Sequence, residues 1–279
     1  MVSPASTLEL APAVRAFDAV AERFDARFGA WESVSAQRRA VRAALVEAFP
    51  NGSRLLELGG GTGEDAAWLA ERGRTVFLTD PSPSMVRIAA EKVRPYGLET
   101  PVVASAEDLS PVCVDGAQRF DGAFSNFAAL NCTTQLTSVA RGLAIALRPG
   151  ARVLLVVFGI CSPGEFVVQM IRGDPKAAVR RLATGDVHAR LGGQEFTVRY
   201  HRAADFRRAF QPWFHYIGRR GIGVFVPPSA AEPWISRHPR ALGVLEALDR
   251  VVSKPLAVFG DHVLLEFERT EMAAPDSIR

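Results

Sequence analysis

The residues with the most chemical meaning stand together in Leu55-Leu56-Glu57-Leu58-Gly59-Gly60-Gly61-Thr62-Gly63-Glu64-Asp65. Glycines at the alternate positions 59, 61 and 63 let the main chain turn sharply and let a ligand come close against it. The dinucleotide fingerprint needs glycine at its first, third and sixth positions. Here the sixth position is Glu64. Carboxylates at 64 and 65 repel a pyrophosphate placed on the helix N-terminus. Together with Glu57 they attract positive charge instead. Asp80 follows Gly63 by 17 residues and ends a second apolar run, Thr75-Val76-Phe77-Leu78-Thr79. An acid at the tip of the second strand is placed to accept hydrogen bonds from both ribose hydroxyls.

A nucleoside with no phosphate and a cationic tail meets these constraints, and S-adenosylmethionine (SAM) is such a molecule. Further along come Ser105-Ala106-Glu107-Asp108-Leu109, Phe120-Asp121-Gly122-Ala123-Phe124-Ser125-Asn126 and Leu147-Arg148-Pro149-Gly150. With the glycine loop and Asp80, their order and spacing resemble the motifs of the class I SAM-dependent methyltransferases, over about residues 15 to 158. The resemblance implies SAM as cofactor and S-adenosylhomocysteine (SAH) as product. It implies cofactor contacts from Glu57, Gly59, Gly60 and Gly61, from Asp80 with Pro81 and Met85, and from Ser105, Ala106 and Glu107 around the adenine. Ser105 stands where the family often has an acid, and Asp108 has a turn cap as its alternative role. Asn126 and Phe127 fall at the methyl-transfer end. In the family a segment like Arg23-Phe24-Asp25 lies over the cofactor, usually with tyrosine at the position of Phe24; a phenyl ring still excludes water. The chain after strand four, Ser125-Asn126-Phe127-Ala128-Ala129-Leu130-Asn131, lacks the Asn/Asp-Pro-Pro-aromatic motif of amino-methylating nucleic-acid enzymes.

The elements that must position these residues alternate. Apolar runs at 54–58, 75–79, 101–104, 121–126 and 151–158 read as strands. Helical patterns at 64–72, 82–93 and 134–147 lie between them. Amphipathic helices are expected at 13–28 and 35–49. The expected fold is α/β: a doubly wound, mostly parallel seven-stranded sheet with helices on both faces and an antiparallel C-terminal hairpin from 213–218 and 261–268. A cap is inserted after strand five, with helices near 165–172, 175–183 and 203–210 and a strand at 194–200. The expected organisation is 1–50 as helices over the cofactor, 51–158 as SAM-binding core, 159–212 as substrate cap and 213–279 as the closing part. Residues 1–12 and the tail from Glu271 are expected to be loose.

Composition narrows the function. The 279 residues are 48% hydrophobic and 23% charged, with a net charge of +3, which is ordinary for a soluble globular chain. Cys113, Cys132 and Cys161 show no disulfide or metal spacing, so a reducing cytoplasm is the expected setting. No signal peptide, membrane span or metal site is expected. Residues 159–220 hold eleven Arg/Lys against five Asp/Glu. This excess is a solvated face or a surface for an anionic acceptor. Asn131, Phe166 and Tyr200 are acceptor-side candidates, with helix capping as the alternative for Asn131. His201 is the first candidate for a general base; His215 and His262 lie in expected strands and read as structural. The expectation is methyl transfer to a small molecule of secondary metabolism, by a monomer or homodimer. RNA or protein methylation through the basic cap, a non-catalytic SAM-binding protein, and a lyase or cyclase on the same scaffold stay open.

Overall fold

A computed structural model describes residues 10–113, 119–183, 185–232 and 234–275. The expectations for residues 1–9 and for the last four residues lie outside them. Three helices come first: α1 (Pro12–Asp18), α2 (Ala21–Phe28) and α3 (Glu32–Ala48). The single helix expected over 13–28 is therefore two, with the chain turning at Ala19-Val20. The turn lets two faces grip different neighbours: α1 lies on the cap hairpin while α2 lies on the glycine loop, as described below.

The core alternates β1 (Arg54–Leu58), α4 (Glu64–Ala70), β2 (Thr75–Asp80), α5 (Pro83–Val93), β3 (Val102–Val103), β4 (Phe120–Ser125), α6 (Leu136–Ala146) and β5 (Leu147–Phe158). Ser82 caps α5 by accepting from the Met85 N–H, and Pro83 takes the first turn, where its missing donor costs nothing. After β5 come α7 (Pro163–Ile171), α8 (Pro175–Val179), the hairpin β6 (Asp186–Leu191) and β7 (Gln194–Arg199), and α9 (Ala203–Phe210). Then follow β8 (Phe214–Ile222), α10 (Pro239–Val252) and β9 (His262–Arg269).

Seven strands form one sheet in the order β3-β2-β1-β4-β5-β9-β8. The first five are parallel, and β9 runs antiparallel between β5 and β8. Order reverses at β1, so the crevice beyond the carboxyl ends of β1 and β4 is where ligands bind in such sheets. Both faces of the sheet are covered. Leu56, Leu58, Phe120, Val153 and Leu265 pack on the α6 and α9 side; Leu55, Val76, Phe124, Leu154 and Leu264 pack on the α3, α4 and α5 side. This is why the parallel strands read as unbroken apolar runs.

The sequence pattern puts strand five at 151–158, after a helix ending at 147. The strand instead begins at Leu147, paired with Phe120, and then bulges so that Arg152 faces Gly122. The second strand of the cap hairpin was legible; β6 was not. Gly192 and Gly193, at φ 57 and 82, make the two-residue turn between them.

Candidate active site

The glycine loop joins β1 to α4, with Gly59, Gly61 and Gly63 at φ 64, 56 and 81. A methyl group on Gly59 would lie 2.6 Å from the Ala129 Cβ, and one on Gly60 2.5 Å from Leu78. These two are glycines because the protein itself crowds them. A methyl on Gly61 would meet nothing within 4 Å. Space is therefore open in front of Gly61, and its positive φ is kept by the absence of a side chain.

Asp80, at the end of β2, faces that space. Its Oδ2 accepts the Gly61 N–H and its Oδ1 the Ser82 N–H, both at 2.9 Å. Burial pushes its pKa up to about 6, against the pull of these two bonds. Glu57 is 2% exposed, and its Oε2 has no partner. Burial, then repulsion from Asp65, holds its carboxyl well above the usual range. A buried oxygen left unsatisfied in a cleft is a place for a ligand donor.

Two of the three acids expected to draw a cationic ligand, Glu64 and Asp65, are engaged within the protein. Asp65 Oδ1 accepts from Arg42 Nε at 2.7 Å, and its Oδ2 from the Asn126 amide at 2.7 Å. Glu64 pairs with Lys92, and Arg38 comes within 3.6 Å of it. The cations that neutralise them come from α3 and α5, more than 20 residues away along the chain. Arg38 and Arg42 are one helical turn apart, so they share a face of α3.

The first two helices are pinned over the site by two carboxylates. Asp18 accepts from Ser82 Oγ at 2.6 Å, from the Ser84 N–H at 2.9 Å and from Ser84 Oγ at 3.0 Å. Asp25 accepts from Thr62 Oγ1 and from Lys92, both at 2.6 Å. Phe24, between them in sequence, is half-buried against Phe17 and Phe28. Phe17 also meets Phe196 of the cap hairpin, at 5.8 Å between ring centres. Neither Asp18 nor the pairing of Asp25 with Thr62 was anticipated from the sequence.

At the end of β4, Asn126 Oδ1 accepts the Phe127 N–H at 2.8 Å. Phe127 and Ala128 have φ of 48 and 61. Two consecutive non-glycine residues in the left-handed region cost roughly 1–3 kcal/mol each, and such strain gathers at functional sites. The Arg38 guanidinium lies 4.9 Å from the centre of the Phe127 ring.

The other sequence candidates are placed as follows. Pro81 and Met85 flank the Asp80 corner, with Met85 buried. Ser105 Oγ accepts the Asp108 N–H at 3.2 Å, and Asp108 accepts from Ser110, so this pair builds the turn after β3; Ala106 and Glu107 are half-buried beside it. Asn131 does not cap α6. It is 1% exposed, donates to the Arg199 carbonyl at 2.5 Å and accepts from the Phe158 N–H at 3.0 Å, tying β5 to the cap hairpin. Nor does His201 stand free as a base: it is buried, with Nε2 2.8 Å from the Thr133 carbonyl and its ring edge on Phe206. Burial, the largest influence, lowers its pKa. Phe166 is exposed on α7, and the Tyr200 ring packs at a tilt against Phe158, 5.5 Å between centres. Four of the eleven basic residues counted in 159–220 are in ion pairs: Arg180 and Arg181 with Glu165, Arg199 with Asp186, and Arg220 with Glu47.

A cavity of about 560 Å³ opens at the start of α3, lined by Trp31, Arg172, Ser229, Glu232 and Ser236. From Trp31, the inner face of α3 runs about 9 Å to Gln37, at 1.5 Å per residue. Among the described residues, no group of three or more His, Cys, Asp or Glu is gathered to hold a metal ion, and no helix is long and apolar enough to cross a membrane.

The sheet order and the crevice beyond β1 and β4 are those of a Rossmann-like α/β fold. Residues 55–150 match the family described as "Methyltransferase domain". Over 151 residues the chain is 31% identical to the biotin biosynthesis bifunctional protein BioHC of Cellvibrio japonicus (strain Ueda107). The match takes in 53% of this chain but only 28% of that protein. Among solved structures, the [4+2]-cyclase SpnF superposes with a TM-score of 0.60 at 15% identity, covering 92% of this chain and 96% of that one. The Burkholderia thailandensis 1,6-didemethyltoxoflavin-N1-methyltransferase, solved with 1,6-didemethyltoxoflavin and S-adenosylhomocysteine, superposes with a TM-score of 0.55 at 18% identity, covering 97% and 94%. At these identities the two structures speak for the fold.

Proposed function

We propose that this protein is a methyltransferase that binds SAM in the crevice beyond β1 and β2 and methylates a small-molecule acceptor, in secondary metabolism. The observation that carries the reading is the open face of Gly61 beside the Asp80 carboxylate, with the unpartnered Glu57 oxygen at the same strand ends. Asp80 keeps lone pairs for the ribose hydroxyls beyond its two backbone bonds. Glu57 Oε2 accepts from the ammonium group, and Arg38 supplies positive charge for the carboxylate. SAM, when bound, supplies an electrophilic methyl group on sulfur. The chain's part is to hold it, to orient the acceptor and to exclude water, and such alignment is worth several kcal/mol. Phe24 and the helices pinned by Asp18 and Asp25 close the site. Acceptors enter through the cavity at Trp31, whose volume suits a compact organic molecule.

Arg180, Arg181 and Arg199 of the cap are held in ion pairs within the protein, which lessens the basic surface open to RNA and supports a small acceptor. Calorimetry with SAM and SAH tests the cofactor, and transfer of labelled methyl to small-molecule pools and to RNA tests the acceptor. No binding of either nucleoside refutes the proposal. Salt-sensitive labelling of RNA alone would favour the macromolecular reading. Tight SAM binding without transfer to any acceptor would favour a cyclase or a non-catalytic binder.

A further inference from the structure

Beyond Phe127 lies a cluster that methyl transfer as described leaves unused. His262 opens β9 and pairs in register with Phe158, the last residue of β5, so it sits at the ligand-binding edge of the sheet. It is 7% exposed. Its ring stands edge-on to Phe127 at 6.0 Å and lies 5.2 Å from Phe158. Nδ1 lies 3.4 Å from Asp261 Oδ2 and forms no hydrogen bond. Asp261 is itself fixed on all sides: Gln37 Nε2 donates to Oδ2 at 3.0 Å, and Arg181 donates to Oδ1 at 2.6 Å. Arg181 in turn is ion-paired with Glu165. Burial would raise the Asp261 carboxyl, but His262, Arg181 and Gln37 outweigh it and keep the group ionised. A fixed anion beside Nδ1 favours the tautomer with the proton there, leaving Nε2 as the basic nitrogen. Nε2 makes no hydrogen bond among the described residues.

A buried imidazole with spare hydrogen-bonding capacity, next to a carboxylate and against a strained residue at the methyl-transfer end, is costly as mere packing. We propose that His262 is the proton acceptor for a hydroxyl-bearing substrate, with Asp261 as the positioning residue that sets its tautomer. The assignment rests on the SAM-binding reading above. The acceptor O–H bond breaks and its proton passes to Nε2. The new O–C bond forms as the methyl C–S bond breaks with its electron pair left on sulfur. The imidazolium then returns its proton to solvent. The charged groups around the ring are Asp261 on its own segment, Arg181 and Glu165 from the cap, and Arg38 from α3 across Phe127.

The test needs no acceptor. The full chain is labelled with ¹³C at histidine Cε1, and the His262 signal is assigned by its loss in His262→Gln. Its titration is followed with SAH and with SAM bound, occupancy being established by calorimetry. The two ligands differ by a methyl group and a positive charge on sulfur. A positive charge held near the ring disfavours its protonation, so the midpoint falls by an amount on the order of one pH unit for a charge close by. A midpoint lower with SAM by about that amount supports the assignment. Equal midpoints in the two complexes, or a ring that never titrates between about pH 5 and 9, overturn it and leave His262 a packing residue while the SAM reading stands. Failure of the chain to bind either nucleoside removes both.

Discussion

Asp80 gives the sharpest test of the cofactor site, because its place makes affinity depend on pH. Burial raises its pKa to about 6 in the free protein. A ligand whose hydroxyls donate to the carboxylate binds the ionised form, so it pulls that pKa down. Binding strength is then fully present above about pH 6 and is lost as pH falls through it. With a pKa of about 6, roughly one molecule in ten is ionised at pH 5 and nearly all at pH 7.5, so affinity for SAH should fall about tenfold between the two. SAH itself has no group that titrates in this window by its reference values.

Glu57 also has a raised pKa, from burial and from Asp65, so the wild-type slope alone does not isolate Asp80. Asp80→Asn does. It preserves the shape, removes the charge and turns an NH₂ toward a backbone donor. Affinity at pH 7.5 should fall by about 1–3 kcal/mol, the usual cost of losing hydrogen bonds to a charged group. The part of the pH slope owed to Asp80 should vanish with it. Isothermal calorimetry of SAH against both proteins at pH 5.0 and 7.5 reads both effects. Equal slopes in the two proteins, or unchanged affinity in the variant at pH 7.5, would refute the ribose role and the argument from burial together.

Other substitutions separate binding from folding. Gly61→Val should abolish SAH binding while the chain still melts cooperatively, because the new side chain meets only open space and pays a left-handed backbone cost of about 1–2 kcal/mol; retained binding would mean that no ligand approaches there. Asn131→Ala should destabilise the protein by roughly 2–4 kcal/mol in urea unfolding, since it strips partners from the Phe158 N–H and the Arg199 carbonyl, whereas a purely acceptor-contacting Asn131 would leave stability unchanged. Asp18→Ala releases three hydrogen bonds from α1 to the start of α5, and SAH dissociation measured by stopped flow should quicken by about tenfold for a loss near 1.4 kcal/mol; an unaltered rate would show that this helix does not gate the cofactor.

The core was legible because its signals are local and repeated. Leu55, Leu56 and Leu58, then Val76 and Leu78, announce strands covered on both faces, and glycines with an acid after each announce the corner. Ser82-Pro83 marks the start of α5 with a side-chain cap and a proline that needs no donor. Less was legible where meaning depends on a partner distant in sequence. Asp186–Leu191 carries Asp, His and Arg on its exposed positions, and only pairing with Gln194–Arg199 reveals it as a strand. Asn131 looked like a cap because asparagine before a helix often is one. Its true partners, Phe158 and Arg199, lie 27 and 68 residues away.

Charge near the glycine loop likewise depends on partners distant in sequence. Glu64 and Asp65 offer no free negative charge to a sulfonium or against a pyrophosphate, because Arg42 and Lys92 occupy them. The carboxylates that stay available are Glu57, with an unpartnered oxygen, and Asp80, whose bonds are to backbone N–H groups and not to a cation. Both are buried, and burial holds both toward neutrality. A neutral cleft edge of this kind gains most from a ligand that brings its own donors. The place for a ligand's donors thus lies at the two carboxylates that form no ion pair, not at the two paired inside the protein.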